Sequence, residues 1–171
     1  YETKMGHSFA PANYGLKSQI YMDRYGATAE QFAAVSVKSH TNATLNPYAQ
    51  YQKAVTLQEV MDSRMISSPI TLLQCSPTSD GASAIVLASS TRAKQYSTRN
   101  KLINVTGWAC GTDSFVDDDS EELEPTVYRL SRELYERAGI GPQDIDIAQI
   151  HDAFAPAEVI RMEAMGLAPE G

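Results

Sequence analysis

Asp144-Ile145-Asp146-Ile147-Ala148-Gln149-Ile150-His151-Asp152-Ala153-Phe154-Ala155-Pro156 decides how this chain is read. An apolar run stops at a His-Asp pair, and a helix signal starts at once. Ile145, Ile147 and Ile150 predict a short, mostly buried strand. Pro156 suits the first position of a helix, where its missing N–H costs no hydrogen bond. His151 is therefore expected at the carboxyl end of a strand, just before a helix, which is where open α/β sheets bind ligands. A polar strand terminus with no further role is the alternative from position alone. Adjacent strand residues point to opposite faces, so Asp152 is expected to cap the following helix and not to orient His151.

Working outward, Pro125 opens a well-patterned helix in which Val127, Leu130, Leu134 and Ala138 form one apolar stripe, and Gly139 ends it. The stripe reads as core packing. Gly141-Pro142-Gln143-Asp144 is a turn into the key strand. After it, Val159, Ile160, Met162 and Ala164 belong to a final helix that ends near Gly166. The order helix, strand, helix predicts α/β layering.

Upstream, Ile70-Thr71-Leu72-Leu73 is a short strand candidate and Cys75-Ser76-Pro77-Thr78-Ser79-Asp80-Gly81 a tight polar loop. Residues 81–88 run from small to β-branched side chains and predict a central strand. A short helix is expected from Thr91 to about Tyr96, and another strand over Leu102–Cys110. Before Ile70 the chain is mostly helical. Residues 1–13 show no periodicity and are expected to be irregular. A helix is expected from about Tyr14 to Tyr25, with Gly26 terminating it. Thr28 and Gln31 form a capping box that starts a helix fading near Asn42. Asn46-Pro47-Tyr48 punctuates the chain, and Tyr48 and Tyr51 sit in a polar, partly helical linker. Thr56 and Glu59 form a second capping box, for a short helix to about Ser63.

Composition narrows the function classes. Over 171 residues, 43% are hydrophobic and 20% charged, which suits one sizeable globular domain or a piece of a larger one. A net charge of −7 argues against unaided nucleic-acid binding. Much of the acidity lies in Asp117-Asp118-Asp119-Ser120-Glu121-Glu122, read as a solvated loop in preference to a cation site. No apolar run reaches the roughly 18 residues of a membrane span. The two cysteines, Cys75 and Cys110, make neither a metal-ligand spacing nor a disulfide framework, so a reducing compartment is expected.

No Gly-rich phosphate loop and no paired His at metal spacing occurs, so no metal site is expected. One candidate polar site emerges, built from His151 and the Cys75–Asp80 loop. The His151 imidazole can donate a hydrogen bond to an oxyanion, or act as a general acid or base near neutral pH. Ser76, before Pro77, can hold an amide-bearing ligand or merely satisfy its turn. Cys75 reads as a buried, inert thiol.

Residues 75–84, Cys75-Ser76-Pro77-Thr78-Ser79-Asp80-Gly81-Ala82-Ser83-Ala84, resemble the loop-and-strand signature of thiolases of the sterol-carrier-protein type. His151-Asp152-Ala153-Phe154 with Glu158, then Glu163-Ala164-Met165-Gly166-Leu167-Ala168-Pro169-Glu170-Gly171, is similar to a second motif of that family. Asn46-Pro47-Tyr48-Ala49-Gln50-Tyr51-Gln52 is similar to a third.

The resemblance implies an α/β fold of thiolase type, layered helix, sheet, helix, sheet, helix, of which this chain is a partial segment with a mostly helical loop domain. It divides the chain into a lid segment (1–68), the end of the N-terminal half (69–116) and the start of the C-terminal half (117–171). It implies an acyltransferase on acyl-CoA thioesters, by thiolytic cleavage of 3-ketoacyl-CoA or the reverse Claisen condensation. His151 matches the oxyanion-hole His that replaces an Asn of other thiolases. Ser76 matches a serine beside the pantetheine arm of CoA, with Cys75 next to it in the same binding loop. Coenzyme A is then substrate or product, and no tightly bound cofactor is expected. A homodimer or tetramer is expected, in the cytoplasm, or in peroxisomes or mitochondria of a eukaryote.

In such enzymes the nucleophilic Cys lies before the region that Tyr1 opens, and a Gly-His-Pro motif and a second Cys lie after the region that Gly171 closes. Neither Cys75 nor Cys110 matches them, so this segment alone is expected to be inactive. The family often has Cys where Ala153 stands and Ser or Thr where Ala155 stands, so polarity beside His151 is trimmed. A thiolase-like steroid side-chain aldolase with an OB-fold partner is an alternative, although such aldolases more often carry Tyr where His151 stands. A non-catalytic acyl-CoA-binding or scaffold module is another.

Overall fold

The structure is a computed structural model that describes residues 10–96, 102–112 and 122–171. Six α-helices dominate these residues: α1 (Ala10–Tyr25), α2 (Ala29–Ala43), α3 (Leu57–Asp62), α4 (Ser90–Tyr96), α5 (Pro125–Ala138) and α6 (Ala155–Ala164). Short 3-10 turns cover Leu72–Gln74 and Pro142–Asp144. The only sheet among the described residues is a two-stranded antiparallel ribbon, β1 (Met65–Ser67) with β2 (Ile70–Thr71), joined through a cis Ser68–Pro69 bond.

The helix starts follow local chemistry. At α2 the Thr28 N–H donates to Gln31 Oε1 at 2.7 Å. At α3 the exchange is reciprocal: the Thr56 N–H donates to Glu59 Oε2 at 2.7 Å, and the Glu59 N–H donates to Thr56 Oγ1 at 3.2 Å. A third such pair, Thr71 N–H to Gln74 Oε1 at 3.2 Å, turns β2 directly into its 3-10 turn, so the expected strand stops after two residues. Gly26 and Gly139 terminate α1 and α5 with φ of 71° and 67°, the left-handed conformation that side-chain-bearing residues avoid.

Helix α1 is already formed at Ala10, the first described residue, ahead of the expected start near Tyr14. The expected partial helix around Tyr48 and Tyr51 does not form, and residues 45–56 make turns and irregular chain. There the Asn46 side chain accepts from the Tyr48 N–H at 3.0 Å, a local bond that competes with helix.

The core lies where α1, α2 and α6 meet. Tyr21, Phe32 and Ile160 are buried against one another, with Met22, Tyr25, Leu123 and Val159 around them. Burying a side chain such as Phe32, 1% exposed, contributes roughly 1.5–3 kcal/mol. A 2.5 Å bond from Tyr21 Oη–H to Glu163 and an ion pair of Lys38 with Glu158 at 2.5 Å fasten α6 to α1 and α2.

Helix α5 departs from its expected packing. Its buried residues are Ser131 and Tyr135, which face α6: the Tyr135 Oη–H donates to the Met165 carbonyl at 3.0 Å. The apolar stripe is only half buried and is met by the 107–111 segment. A Cβ added at Gly107 would stand 2.7 Å from Leu134 Cδ1, so the chain approaches α5 more closely than a side chain allows.

Three expected strands do not form ladders. Residues 81–88, 102–110 and 145–150 are extended chain without strand partners among the described residues. Their apolar side chains are exposed: Val86 by 93%, Ile103 by 96% and Ile147 by 84%. A strand's backbone is satisfied only by a neighbouring strand, so composition that suits a strand does not by itself make one. The acidic loop falls almost wholly outside the described residues, with only Glu122 inside them.

Candidate functional site

The two motif loops meet. Isolated bridging pairs Cys75 with Phe154, and the Ser76 N–H donates to the Ala153 carbonyl at 2.9 Å. Beside that junction lies a cleft of about 220 Å³, lined by Cys75, Ser76 and Pro77 on one side, Asp152 and Ala155 on another, and Ser36, Ser39 and His40 of α2. Cys75 and Ser76, both expected at the site, thus line the same cleft as the residue that follows His151.

His151 takes a different place. Its side chain is exposed, and Asp152 stands in the cleft wall one position later. What is fixed is the His151 peptide: its carbonyl oxygen accepts from Arg161 Nη1. Asp152 does not cap α6. Phe154 is the N-cap residue, Ala155 the first helical residue and Pro156 the second. The Phe154 ring lies 4.7 Å from that of Tyr14, so the N-cap residue of α6 packs on α1.

The Cys75 thiol donates to the Thr71 carbonyl at 3.4 Å, and burial pushes its pKa up. It is therefore held protonated and is a poor nucleophile. Gln74 is buried at the cleft wall, its Oε1 committed to the Thr71 N–H and its Nε2 without a partner. Across from it, His40 and Tyr51 stack with ring centroids 5.9 Å apart and planes 14° apart. These two rings also line a second cleft of about 440 Å³ that runs on towards Lys53 and Glu59. A third, about 630 Å³, separates the 145–150 segment from α2 and α6, with Asp152 again in its wall. The gap explains why Ile145 and Ile150 are not sealed into a core.

Among the described residues no cluster of His, Cys, Asp and Glu has metal-binding geometry, and no helix is long and apolar enough to cross a membrane. Chemically the first cleft offers hydroxyls, a buried amide and an aromatic wall, a suitable lining for an extended, amide-bearing chain. Gln74, His40, Tyr51 and Arg161 escaped the sequence reading. For Tyr51 the available signal was the Asn46–Gln52 motif, which contains it. Arg161 carried no signal, because a basic residue in the last turn of a helix reads as solvated.

Residues 113–171 match the family model described as thiolase C-terminal domain-like. The chain is similar to part of the thiolase superfamily. Within it, the sequence is similar to sterol carrier protein 2 of Oryctolagus cuniculus, 38% identical over 96% of this chain and 31% of that protein. It is also similar to benzoylsuccinyl-CoA thiolase subunit BbsB of Thauera aromatica (39%, 92% of this chain, 41% of that one). With acetyl-CoA acetyltransferase of Methanothermobacter thermautotrophicus it shares 36% identity over all of this chain and 44% of that one. Among solved structures, an Ltp2-ChsH2(DUF35) aldolase superposes with a TM-score of 0.85 and 32% identity, over 97% of this chain and 45% of its own. The chain thus spans less than half the length of each of these relatives.

Proposed function

We propose that the protein carrying this chain is an acyltransferase on acyl-CoA thioesters, cleaving 3-ketoacyl-CoA with CoA or running the reverse condensation. The observation that carries this reading is the backbone bond from Ser76 to Ala153, which seats the two thiolase-like motif loops around one cleft. Relatives named as thiolase and acetyl-CoA acetyltransferase support it. In this reading Ser76 and its loop receive the pantetheine arm of CoA, with the Cys75 thiol a protonated spectator. His151 donates to the oxyanion of the tetrahedral or enolate state, where a positioned donor stabilises charge that the ground state lacks. Residues 1–68 act as a lid, residues 69–116 close the first half and residues 117–171 open the second. Coenzyme A enters or leaves as a reactant, and the working form is a homo-oligomer.

A second reading, an aldolase on a thiolase scaffold working with an OB-fold partner, is favoured by the solved aldolase. The test is kinetic. In the full-length protein, His151→Ala is expected to lower kcat by about 10²–10³, with KM little changed, the scale of one lost oxyanion donor. His151→Asn retains more activity than His151→Ala, since its amide N–H can reach a similar place. Unchanged kcat in folded His151→Ala protein rules the role out. Turnover that cleaves a 3-hydroxyacyl-CoA to a shorter acyl-CoA and a free ketone or aldehyde, needs a partner protein and consumes no free CoA selects the aldolase.

A further inference from the structure

The turn that carries His151 is clamped from beneath by a charged network that no motif foreshadows. Arg161, on α6, uses all three faces of its guanidinium. Nη1 donates to the His151 carbonyl, Nη2 donates to Tyr14 Oη at 2.8 Å, and Nε faces Glu124 Oε2 at 3.8 Å. Its planar group also lies 5.8 Å from the centre of the Tyr14 ring. Glu124 is itself buried, and its other oxygen takes a 3.0 Å bond from Lys17 of α1. A planar fork held by two hydrogen bonds and a looser ion pair, its buried Nε making no hydrogen bond, has little freedom left to swing.

We propose that Arg161 is the positioning residue of the oxyanion site: it fixes the His151 peptide, and through it the imidazole, relative to the Ser76 loop. The inference rests on the oxyanion role proposed for His151. The geometry behind it is specific. The 151–154 turn is held at three successive points: at the His151 carbonyl by Arg161, at the Ala153 carbonyl by Ser76, and at the Phe154 ring by Tyr14. Tyr14 links two of these points, since it accepts from Arg161 as well as packing on Phe154, so the guanidinium and the turn are joined. The His151 side chain has no such restraint of its own, being exposed, so its direction depends on its backbone. An oxyanion donor misplaced by about 1 Å can cost up to about 10²-fold in rate.

Lysine is the informative substitution. It keeps a positive charge beside Glu124, so the buried carboxylate is not stranded, but it cannot span three partners. The experiment is a double-mutant cycle in the full-length enzyme, reading kcat, KM and melting temperature for Arg161→Lys, His151→Ala and the pair. Arg161→Lys is expected to lower kcat about 10- to 100-fold while KM stays within about twofold. In the His151→Ala background the same change should cost less than about twofold, because there is no imidazole left to misplace. Tyr14→Phe keeps the ring and removes one partner of the fork; it should show the same coupling with a smaller loss, and it serves if Arg161→Lys does not fold. Equal losses from Arg161→Lys in both backgrounds overturn the positioning role while leaving His151 in place. A His151→Ala enzyme with full kcat overturns the His151 assignment, and the positioning role with it.

Discussion

The helical body and the extended stretches of this chain contrast sharply. In the body, Phe32, Ala33 and Val60 are at most 1% exposed, and the starts of α2 and α3 have a local chemical reason. In residues 81–88 and 102–110, side chains that are just as apolar, such as Val86 and Ile103, stand in solvent. Hydrophobicity is thus no guide to burial by itself. A helix satisfies its own backbone and needs only one neighbour for its apolar stripe, whereas a strand needs a partner for both backbone and face. The extended stretches carry the composition of strands inside a larger sheet, and their sequence similarity to far longer relatives is in keeping with that.

The contrast can be broken by truncating one apolar side chain from each region. Phe32→Ala removes a ring packed against Tyr21, their centroids 5.8 Å apart, and leaves a cavity in the helical core. It should cost about 3–5 kcal/mol in denaturant unfolding of the full-length protein. The informative comparison is Ile103→Ala. If the described exposure is that of the working protein, the cost stays within about 0.5 kcal/mol, as for surface positions. If Ile103 pairs into a sheet in the full-length protein, the cost rises to about 2–5 kcal/mol. Equal, small costs at both positions would mean that the α1–α2–α6 junction is not the core.

The same contrast explains what could be read in advance. Helices α2, α3 and α5 were legible because their signals are local: Thr28 with Gln31, Thr56 with Glu59, Pro125 with Gly139. The short 3-10 turn after β2 has an equally local signal in Thr71 and Gln74, but the β-branched run before it suggested a longer strand. The strand at 145–150 was illegible because its fate depends on what lies across a wide cleft. At the site, the Cys75–Gly81 and His151–Phe154 motifs pointed to residues that do sit in adjoining loops. The contacts holding those loops in place were not legible. Arg161 and Glu124 are 37 residues apart in sequence, and Lys17 is 107 from Glu124.

A smaller effect sharpens the claim that helix starts are local. Thr56→Ala removes the hydroxyl that accepts from the Glu59 N–H and leaves that donor to water. The expected cost is about 1 kcal/mol. Since α3 supplies the carbonyl of Val60 to the Thr71 hydroxyl at 2.7 Å, the change should also loosen β2, visible as faster amide exchange at Ile70 and Thr71. A loss confined to α3 would show that the helix and the hairpin are independent.

The smallest effect concerns a charge inside the better-packed region. Glu163 accepts from the Tyr21 Oη–H at 2.5 Å, and burial is the main cause that pushes its carboxyl pKa up, with the Tyr21 bond pulling the other way. Burial and the neighbouring carboxylate push the Tyr21 phenol well above its ordinary value as well, so Tyr21 stays the donor throughout the physiological range. A carboxyl whose pKa is higher folded than unfolded favours the fold in its neutral form. That contribution is present in full below the unfolded pKa, near 4.3, and is lost as pH rises through the raised folded value. Glu163→Gln keeps an oxygen for Tyr21 and has no charge to desolvate. Its melting temperature should therefore match or slightly exceed that of the wild type at pH 7. The difference should close as pH falls towards 4, where the wild-type carboxyl is also neutral. The measurement is the melting temperature of both proteins from pH 4 to 8. A Gln variant that is less stable at pH 7, with the gap closing in acid, would mean that the ionised carboxylate contributes more through its bond to Tyr21 than burial costs it.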